Sequence, residues 1–599
     1  MIKIFMKNNG NNSLKKSRTE VVLDGYAISP GIALGYVYVF RRPSVDFARL
    51  DIRSTDVNRE IDLFSEARQN VKEQLESARL SSETHYGKQF SDIFDSQKAF
   101  LDDPILIKEI EDEIRNSGQT SVSIISKILS QKSDYFINLE NIYFRERAFD
   151  IIDLKQKLLH AILGIHTEYL LSSPSIVIAE SLSPSDTINF NRNFLLGFLT
   201  DQGGKTSHAA ILARSLKIPA VVNRTNLSKL LLNDDYVIID GFEGKIVLNP
   251  DKKTMEHYRE VQKEHIQFEG DLFKQVKEPS ITLDNKQIKL LANIEFDHEI
   301  ADVKRNRADG VGLFRTEGMY LENQNNPSEK VQYKVYKKLV EHLSPQTVII
   351  RTIDLGGDKI KPGYGHENEL NPFLGWRAIR FCLDTPDVFK TQLRALLRAS
   401  AHGNLKILLP MVSCVDEILL TKELICEVQQ ELDQKGKSFN KDVPIGIMIE
   451  TPSAAITANI LAEYVDFFSI GTNDLTQYVL AIDRTNDKVA RSCSAFNPAV
   501  VELIAKTVKA ANRHNIDVSL CGELGSVPEA IPLLLGLGLR CISVNPHALP
   551  EVKKIVRSLD TEKCDALYKS VKKLHTARQI EIKCQAFLKA NVPNLKFIK

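Results

Sequence analysis

Apolar positions change their spacing several times along the chain. From Val21 to Phe40 they form two short runs separated by Ser29-Pro30-Gly31, which predicts a strand, a tight turn and a second strand. From about Asp51 the spacing lengthens. Val57, Ile61, Phe64, Val71, Leu75 and Ala78 share one helical face, and further helical runs follow at Phe90–Leu101, Ile105–Ile114, Val122–Ile128 and Ile137–Leu163. Charged residues fill the opposite faces, as in a helical bundle. Strand-length runs return between Ser175 and Pro250, at Ile176–Ala179, Leu195–Leu199, Val237–Asp240 and Ile246–Leu248. Asp251 to Gln275 is charged and weakly apolar, and is expected to be a linker helix on which two halves swing.

Beyond it, short apolar runs alternate with longer helical ones. Eight are of strand length: Ile288–Asn293, Gly310–Phe314, Thr347–Ile353, Lys406–Met411, Ile445–Ile449, Phe467–Ile470, Asp517–Leu520 and Arg540–Val544. Eight strand–helix units over about 300 residues are what a (β/α)₈ TIM-type barrel requires. The fold class expected is therefore multidomain α/β, with an α/β domain interrupted by an inserted helical bundle and followed by a barrel.

Composition narrows the function. A chain of 599 residues exceeds one core, and a net charge of +1 argues against a nucleic-acid partner. No apolar run approaches the length of a membrane span. Residues 1–20 are polar and basic and lack the apolar segment of a signal peptide; they read as a loose tail, with Met6 an alternative start. The 8 cysteines all lie from Cys382 onward without a C-x-x-C pair, which fits the cytoplasm.

Two stretches carry chemistry. In Asp201-Gln202-Gly203-Gly204-Lys205-Thr206-Ser207-His208 a predicted strand meets an Ala-rich helix across two glycines. One imidazole is thereby set at a helix N-terminus, where free N–H groups and the helix dipole suit an anion. A nucleotide-binding P-loop needs a glycine where this chain has Leu199, so that reading fails. A lone histidine at such a turn is more often a core residue. Its Gly-Gly, Lys and Ser neighbours shift the reading toward phosphate.

The second stretch is the set of positions just after the eight apolar runs, where barrel active sites lie. Arg315, Arg351 and Arg484 offer permanently charged donors for carboxylate and phosphate. Glu450 and Asp474 offer hard oxygen ligands of the kind that hold Mg²⁺. Asn473 can donate to a substrate oxygen, and Cys521 is a weak acid able to protonate a carbanion. Any one alone reads as a salt bridge or cap; together they suit a doubly anionic phosphate ester whose dephosphorylation leaves an enol. Phosphoenolpyruvate has that chemistry.

The run Ser29 to Gly35, the histidine stretch, Gly312–Glu317, Arg351–Lys359, Asn371–Arg380, Gly446–Pro452 and Gly471–Tyr478 resemble enzyme I of the bacterial phosphoenolpyruvate-dependent phosphotransferase system. The histidine stretch also resembles that of pyruvate phosphate dikinase and phosphoenolpyruvate synthase. The resemblance implies that His208 is phosphorylated, with Thr187 a hydroxyl near it. It implies that Arg315, Arg351, Asn473, Asp474 and Arg484 bind phosphoenolpyruvate, that Glu450 and Asp474 hold Mg²⁺ (Mn²⁺ substituting), and that Cys521 is the proton donor. It further implies a phosphohistidine domain at 21–50 and 165–250, a bundle at 51–164 that receives the carrier protein HPr, a linker helix at 251–278, and a substrate-binding barrel at 279–599 that forms a homodimer. Loops 318–323 and 524–527 and the segment Cys541–Asn545 depart from the family pattern, which bears on turnover and dimer stability.

A dikinase or synthase also needs a nucleotide-grasping domain, for which these 599 residues leave no stretch. A non-catalytic regulator would be expected to have lost rim residues, and they are all present. Which carrier accepts the phosphate, and whether it serves sugar uptake or regulation, is left open.

Overall fold

The computed structural model describes residues 19–592 except 42–53, 55, 87, 138–141, 166–170, 184–185, 187–189, 203–209, 211–212, 215–217, 224–225, 322–325, 356–370, 485 and 487–488. The basic tail, Thr187 and His208 thus lie outside the described residues. Two compact units meet in the chain between Ile266 and Gln267.

In the first unit, β1 (Val21–Asp24), β2 (Tyr26–Ser29) and β3 (Ile32–Val39) precede five helices. These are α1 (Val57–Tyr86), α2 (Lys88–Leu101), α3 (Pro104–Ser117), α4 (Ser121–Ile137) and α5 (Ile142–Leu163). Strands β4 (Ser175–Ala179), β5 (Leu195–Thr200), β6 (Ala220–Val222), β7 (Tyr236–Asp240) and β8 (Lys245–Leu248) come next. They form one eight-stranded sheet of order β1-β8-β7-β3-β4-β5-β6-β2. β3 and β4 are parallel neighbours, Tyr36 opposite Ser175, so α1–α5 form an excursion that leaves and re-enters the sheet side by side. The bundle has its own core, in which Phe64, Val71, Leu75, Phe94, Ile110, Ile125 and Leu154 are buried. Both faces of the sheet are covered, and β4 is buried along its whole length, which explains its unbroken apolar run.

Helix α6 (Lys252–Gln275) is packed more than its polarity predicts. Met255, Tyr258 and Val261 lie against Ile32, Ile238 and Val247; Gln262 Nε2 donates to Ile32 O at 2.8 Å; and Phe242 meets the His265 ring edge-on at 4.8 Å. In the second unit, Phe268 is buried beneath the Lys554 ammonium at 3.8 Å, and Lys553 Nζ donates to Val276 O at 2.9 Å. Apolar residues here recur too sparsely to mark a stripe, yet most of those described are packed, Ile266 being the exposed exception.

The second unit is a closed barrel of eight parallel strands: β9 (Lys289–Ile294), β10 (Gly310–Phe314), β11 (Thr347–Arg351), β12 (Leu405–Leu409), β13 (Ile445–Ile449), β14 (Phe467–Ile470), β15 (Asp517–Leu520) and β16 (Cys541–Val544). Two end earlier than their apolar runs, for a local reason. The N–H of Ile353 leaves the ladder for Gln392 Oε1 at 2.9 Å, and Met411, at φ 59°, turns its N–H onto Glu450 Oε1 at 2.7 Å. The barrel interior is filled by Leu313, Ile349, Leu408, Met448, Phe467 and Cys521. Close approach across it demands glycine at 312, where a Cβ would stand 2.4 Å from Ser543 Oγ.

Among the described residues no helix is long and apolar enough to cross a membrane, and all eight cysteines are free thiols.

Candidate active site

The C-terminal rim of the barrel gathers charge because each strand ends where its side chains stop facing apolar neighbours. Arg315 follows β10, its N–H still bonded to Ile294 O at 2.9 Å; Arg351 ends β11; Glu450 follows β13. Asn473 and Asp474 open the helix Thr472–Leu480 after β14, Arg484 lies beyond that helix, and Cys521 follows β15. All seven line one cleft, together with Glu317, Asp354, Arg377 and Glu523. The chain can pass so close to Glu450 only because residue 471 is glycine; a Cβ there would lie 2.8 Å from Glu450 Oε2.

The four arginines fall into two pairs. Arg351 is buried between Glu317 at 2.9 Å and Asp354 at 3.1 Å. Arg377 is buried too, its Nε and Nη2 donating to the two oxygens of Asp354 at 3.0 and 2.8 Å. Its Nη1 reaches Asp474 at 3.4 Å and the Tyr478 hydroxyl at 3.0 Å; that hydroxyl donates to Phe373 O at 2.5 Å. Burial works against the charge of both guanidiniums, but these carboxylates outweigh it and hold their pKa values above the usual arginine range. Arg315 and Arg484, by contrast, have no carboxylate partner among the described residues, and they are respectively half-buried and exposed. They are cations without an anion.

The carboxylates show the complementary excess. Glu450 is 1% exposed, and burial, with Asp474 and Asp354 beside it, pushes its carboxyl up to about 8 against the pull of Arg351 and Arg377. Glu317, Asp354, Glu450 and Asp474 are thus four buried acids facing two buried bases. No three His, Cys, Asp or Glu side chains among the described residues close around a metal position. A hard cation held here would take Glu450 and Asp474 from the protein and its other oxygens from substrate and water, the usual arrangement for Mg²⁺. The donor set fits that ion, and the excess of carboxylates over guanidiniums among the buried groups favours it. Among the described residues seven buried polar atoms lack a partner, and four of them, Arg351 Nε and the hydroxyls of Thr352, Ser469 and Thr472, also lie at this end of the barrel.

Cys521 is held by its backbone. Its N–H donates to Ile470 O at 3.0 Å and its carbonyl accepts from Asn293 Nδ2 at 3.0 Å; Ser543 Oγ in turn donates to Asn293 Oδ1 at 2.6 Å. Burial pushes its thiol up to about 11, so it is a retained acid where an unperturbed cysteine would be partly ionised. Asn473 and Glu523 bond reciprocally, Nδ2 to Oε1 at 2.8 Å and the Glu523 N–H to Oδ1 at 3.0 Å. One Nδ2 hydrogen of Asn473 is left for a ligand.

Every predicted rim residue is therefore in this cleft. His208 and Thr187 cannot be placed beside it. What the periodicity passed over is Arg377 and Asp354, which lie in loops, and Glu317 and Tyr478, which sit in the short helices Glu317–Leu321 and Thr472–Leu480. Their signal was density of charge: Arg377 sits one residue from Ala378, which is forced to φ 53°, ψ −126°.

Three family models match the chain. They describe the N-terminal domain of PEP-utilising enzymes over residues 24–147, their mobile domain over 171–244 and their PEP-binding domain over 270–561. The chain is 38% identical over 539 residues to the phosphoenolpyruvate-protein phosphotransferase of Priestia megaterium, covering 90% of this chain and 94% of that one. It is 36% identical over 560 residues to the proteins of that name from Listeria monocytogenes and Bacillus subtilis, covering 93% of this chain and 98% of each.

Proposed function

The chain belongs to the phosphoenolpyruvate-protein phosphotransferase family of transferases, and from that premise we propose that it phosphorylates its own His208 from phosphoenolpyruvate, releases pyruvate, and passes the phosphoryl group to a histidine of the carrier HPr. The observation that carries the site assignment is the contrast between Arg315 and Arg484, which lack an anion, and Arg351 and Arg377, which have theirs. A substrate bearing a carboxylate and a phosphate supplies the anions missing from the first pair. Arg351 adds positive charge and the unpartnered Nε, and Asn473 its remaining N–H.

Glu450 and Asp474 would hold Mg²⁺, with Mn²⁺ able to replace it. When bound, the ion supplies positive charge to substrate oxygens as the bridging oxygen gains electrons. The bond from that oxygen to phosphorus breaks as one forms from an imidazole nitrogen of His208, and the enolate of pyruvate remains. Cys521 gives its proton to C3 of that enolate. Its high pKa supports this role, since the thiol keeps its proton until a stronger base is beside it.

The division of labour is that of the family. The sheet at 21–50 and 165–250 presents His208, the bundle at 51–164 receives HPr, the segment 251–278 links the halves, and the barrel at 279–599 binds phosphoenolpyruvate and pairs with a second copy. The setting is the cytoplasm. The test is stoichiometric: with phosphoenolpyruvate and Mg²⁺, one pyruvate should appear per chain, and catalytic pyruvate release should require HPr. Continuous release without any acceptor would refute the proposal.

A further inference from the structure

The interior of the barrel beneath Cys521 is largely apolar, and its other hydroxyls at Ser519 and Ser543 have acceptors in Phe468 O and Asn293 Oδ1. Leu313, Ile349, Leu408, Met448 and Phe467 pack with Cys521, and on the same face of β14 as Phe467 stands Ser469, two residues on. β14 and β15 run parallel with Ser469 opposite Ser519, so Cys521, two residues beyond Ser519 on the same face, is the diagonal neighbour of Ser469 within the barrel. Ser469 is 0% exposed, and its hydroxyl meets no partner in hydrogen-bonding geometry. The ionisable group it acts on is the Cys521 thiol, whose ionised form it favours. The thiol in turn is within 3.7 Å of Ile470 O, where its own hydrogen can rest. A buried hydroxyl with no acceptor costs stability, and alanine would fit the same space.

Resting on the reading of Cys521 as proton donor, we propose that Ser469 is a positioning residue for the protonation step: its O–H donates to the Cys521 sulfur when that sulfur becomes a thiolate. In the step, the S–H bond of Cys521 breaks, the proton bonds to C3 of the enolate using the electron pair of the C2–C3 double bond, and the negative charge moves from the enolate to sulfur. That charge is created on a buried sulfur packed against Leu313, Met448 and Phe467. Ser469 is the neutral donor aimed at it; among charged groups, Arg351 and Arg315 favour the thiolate and Glu450 opposes it. After pyruvate leaves, water returns the proton and the hydroxyl is again without an acceptor.

The experiment uses the full-length protein with phosphoenolpyruvate, Mg²⁺ and a phosphoryl acceptor in deuterated water, reading the rate of deuterium incorporation at C3 of pyruvate. Ser469→Ala should slow incorporation about ten-fold, the equivalent of about one pKa unit in the acid, with KM unchanged. It should move the alkaline limb of the kcat profile to higher pH. Ser469→Thr, which keeps the hydroxyl, should restore both. In a Cys521→Ala background Ser469→Ala should have no further effect. Equal slowing in both backgrounds, or none in the wild type, overturns the inference while leaving Cys521 as donor. If Cys521→Ala itself costs nothing, the donor reading fails and the inference falls with it.

Discussion

Arg377 grips Asp354 with two parallel hydrogen bonds, at 3.0 and 2.8 Å, in a pocket where both side chains are buried. The pair ties Arg377 to the residues just after β11, and the same guanidinium extends to Asp474. Neither residue needs to touch substrate to matter. Together they fix a carboxylate assigned to the metal and screen its charge from Glu450.

Arg377→Met should accordingly destabilise the protein by about 3 kcal/mol, because buried Asp354 loses the two parallel bonds from Arg377 and keeps the contact to Arg351 at 3.1 Å. Adding Asp354→Asn should recover part of that loss by removing a buried charge that has lost its two-bond partner. Denaturant unfolding of the two variants decides it; an unaffected Arg377→Met would mean the pair is solvated.

The free arginines should behave oppositely. Arg315→Ala and Arg484→Ala should leave the unfolding midpoint unchanged, since no carboxylate loses a partner. Each should raise KM for phosphoenolpyruvate by roughly 10–150-fold, the worth of a hydrogen bond to a charged group. Arg351→Ala should cost both affinity and stability, because Glu317 and Asp354 depend on it. Steady-state kinetics beside thermal melts separate the two classes.

Glu450 makes the metal-free protein sensitive to pH. Its carboxyl is raised to about 8 in the fold, from an unfolded value near 4.5. Between those values the native state binds the proton that the unfolded state has lost, so stability falls as pH rises through this window. Glu450→Gln should flatten that slope. Mg²⁺ binding near pH 7 should release a proton, seen as a buffer-dependent heat in calorimetry; identical heats in buffers of different ionisation enthalpy would contradict it.

Much of the barrel was legible because parallel strands buried on both faces leave continuous apolar runs, as in Gly446–Ile449 and Phe467–Ile470. The rim arginines, the acids and Cys521 were legible because a barrel brings the residues at the C-terminal ends of its strands to one rim. The clamp was not. Arg377 and Asp354 are 23 residues apart in the sequence, and nothing periodic connects them. The Cys521 shift was equally hidden, since it arises from neighbours on other strands. In α6 the apolar residues are too sparse to show a face, although Tyr258, Val261 and Phe268 all pack.

That packing moves the useful cut point. A fragment ending at Ile266 keeps Val261, Gln262 and His265 on the sheet, whereas one ending at Glu260 loses them. The shorter fragment should be less stable by about 1–3 kcal/mol, the worth of a buried Val and one hydrogen bond. The longer should accept phosphate from phosphorylated HPr and take none from phosphoenolpyruvate. Thermal melts and phosphate transfer compare them; equal melting would mean that these contacts hold nothing.

The decisive measurement concerns the residue on which the whole reaction turns. The full-length protein is incubated with radiolabelled phosphoenolpyruvate and Mg²⁺, tested for an acid-labile, base-stable phosphate, and mapped by mass spectrometry. Phosphotransfer through His208 predicts that residue as the single site of phosphate, and no label in a folded His208→Ala variant. Phosphate on any other residue, or undiminished labelling of that variant, would contradict it.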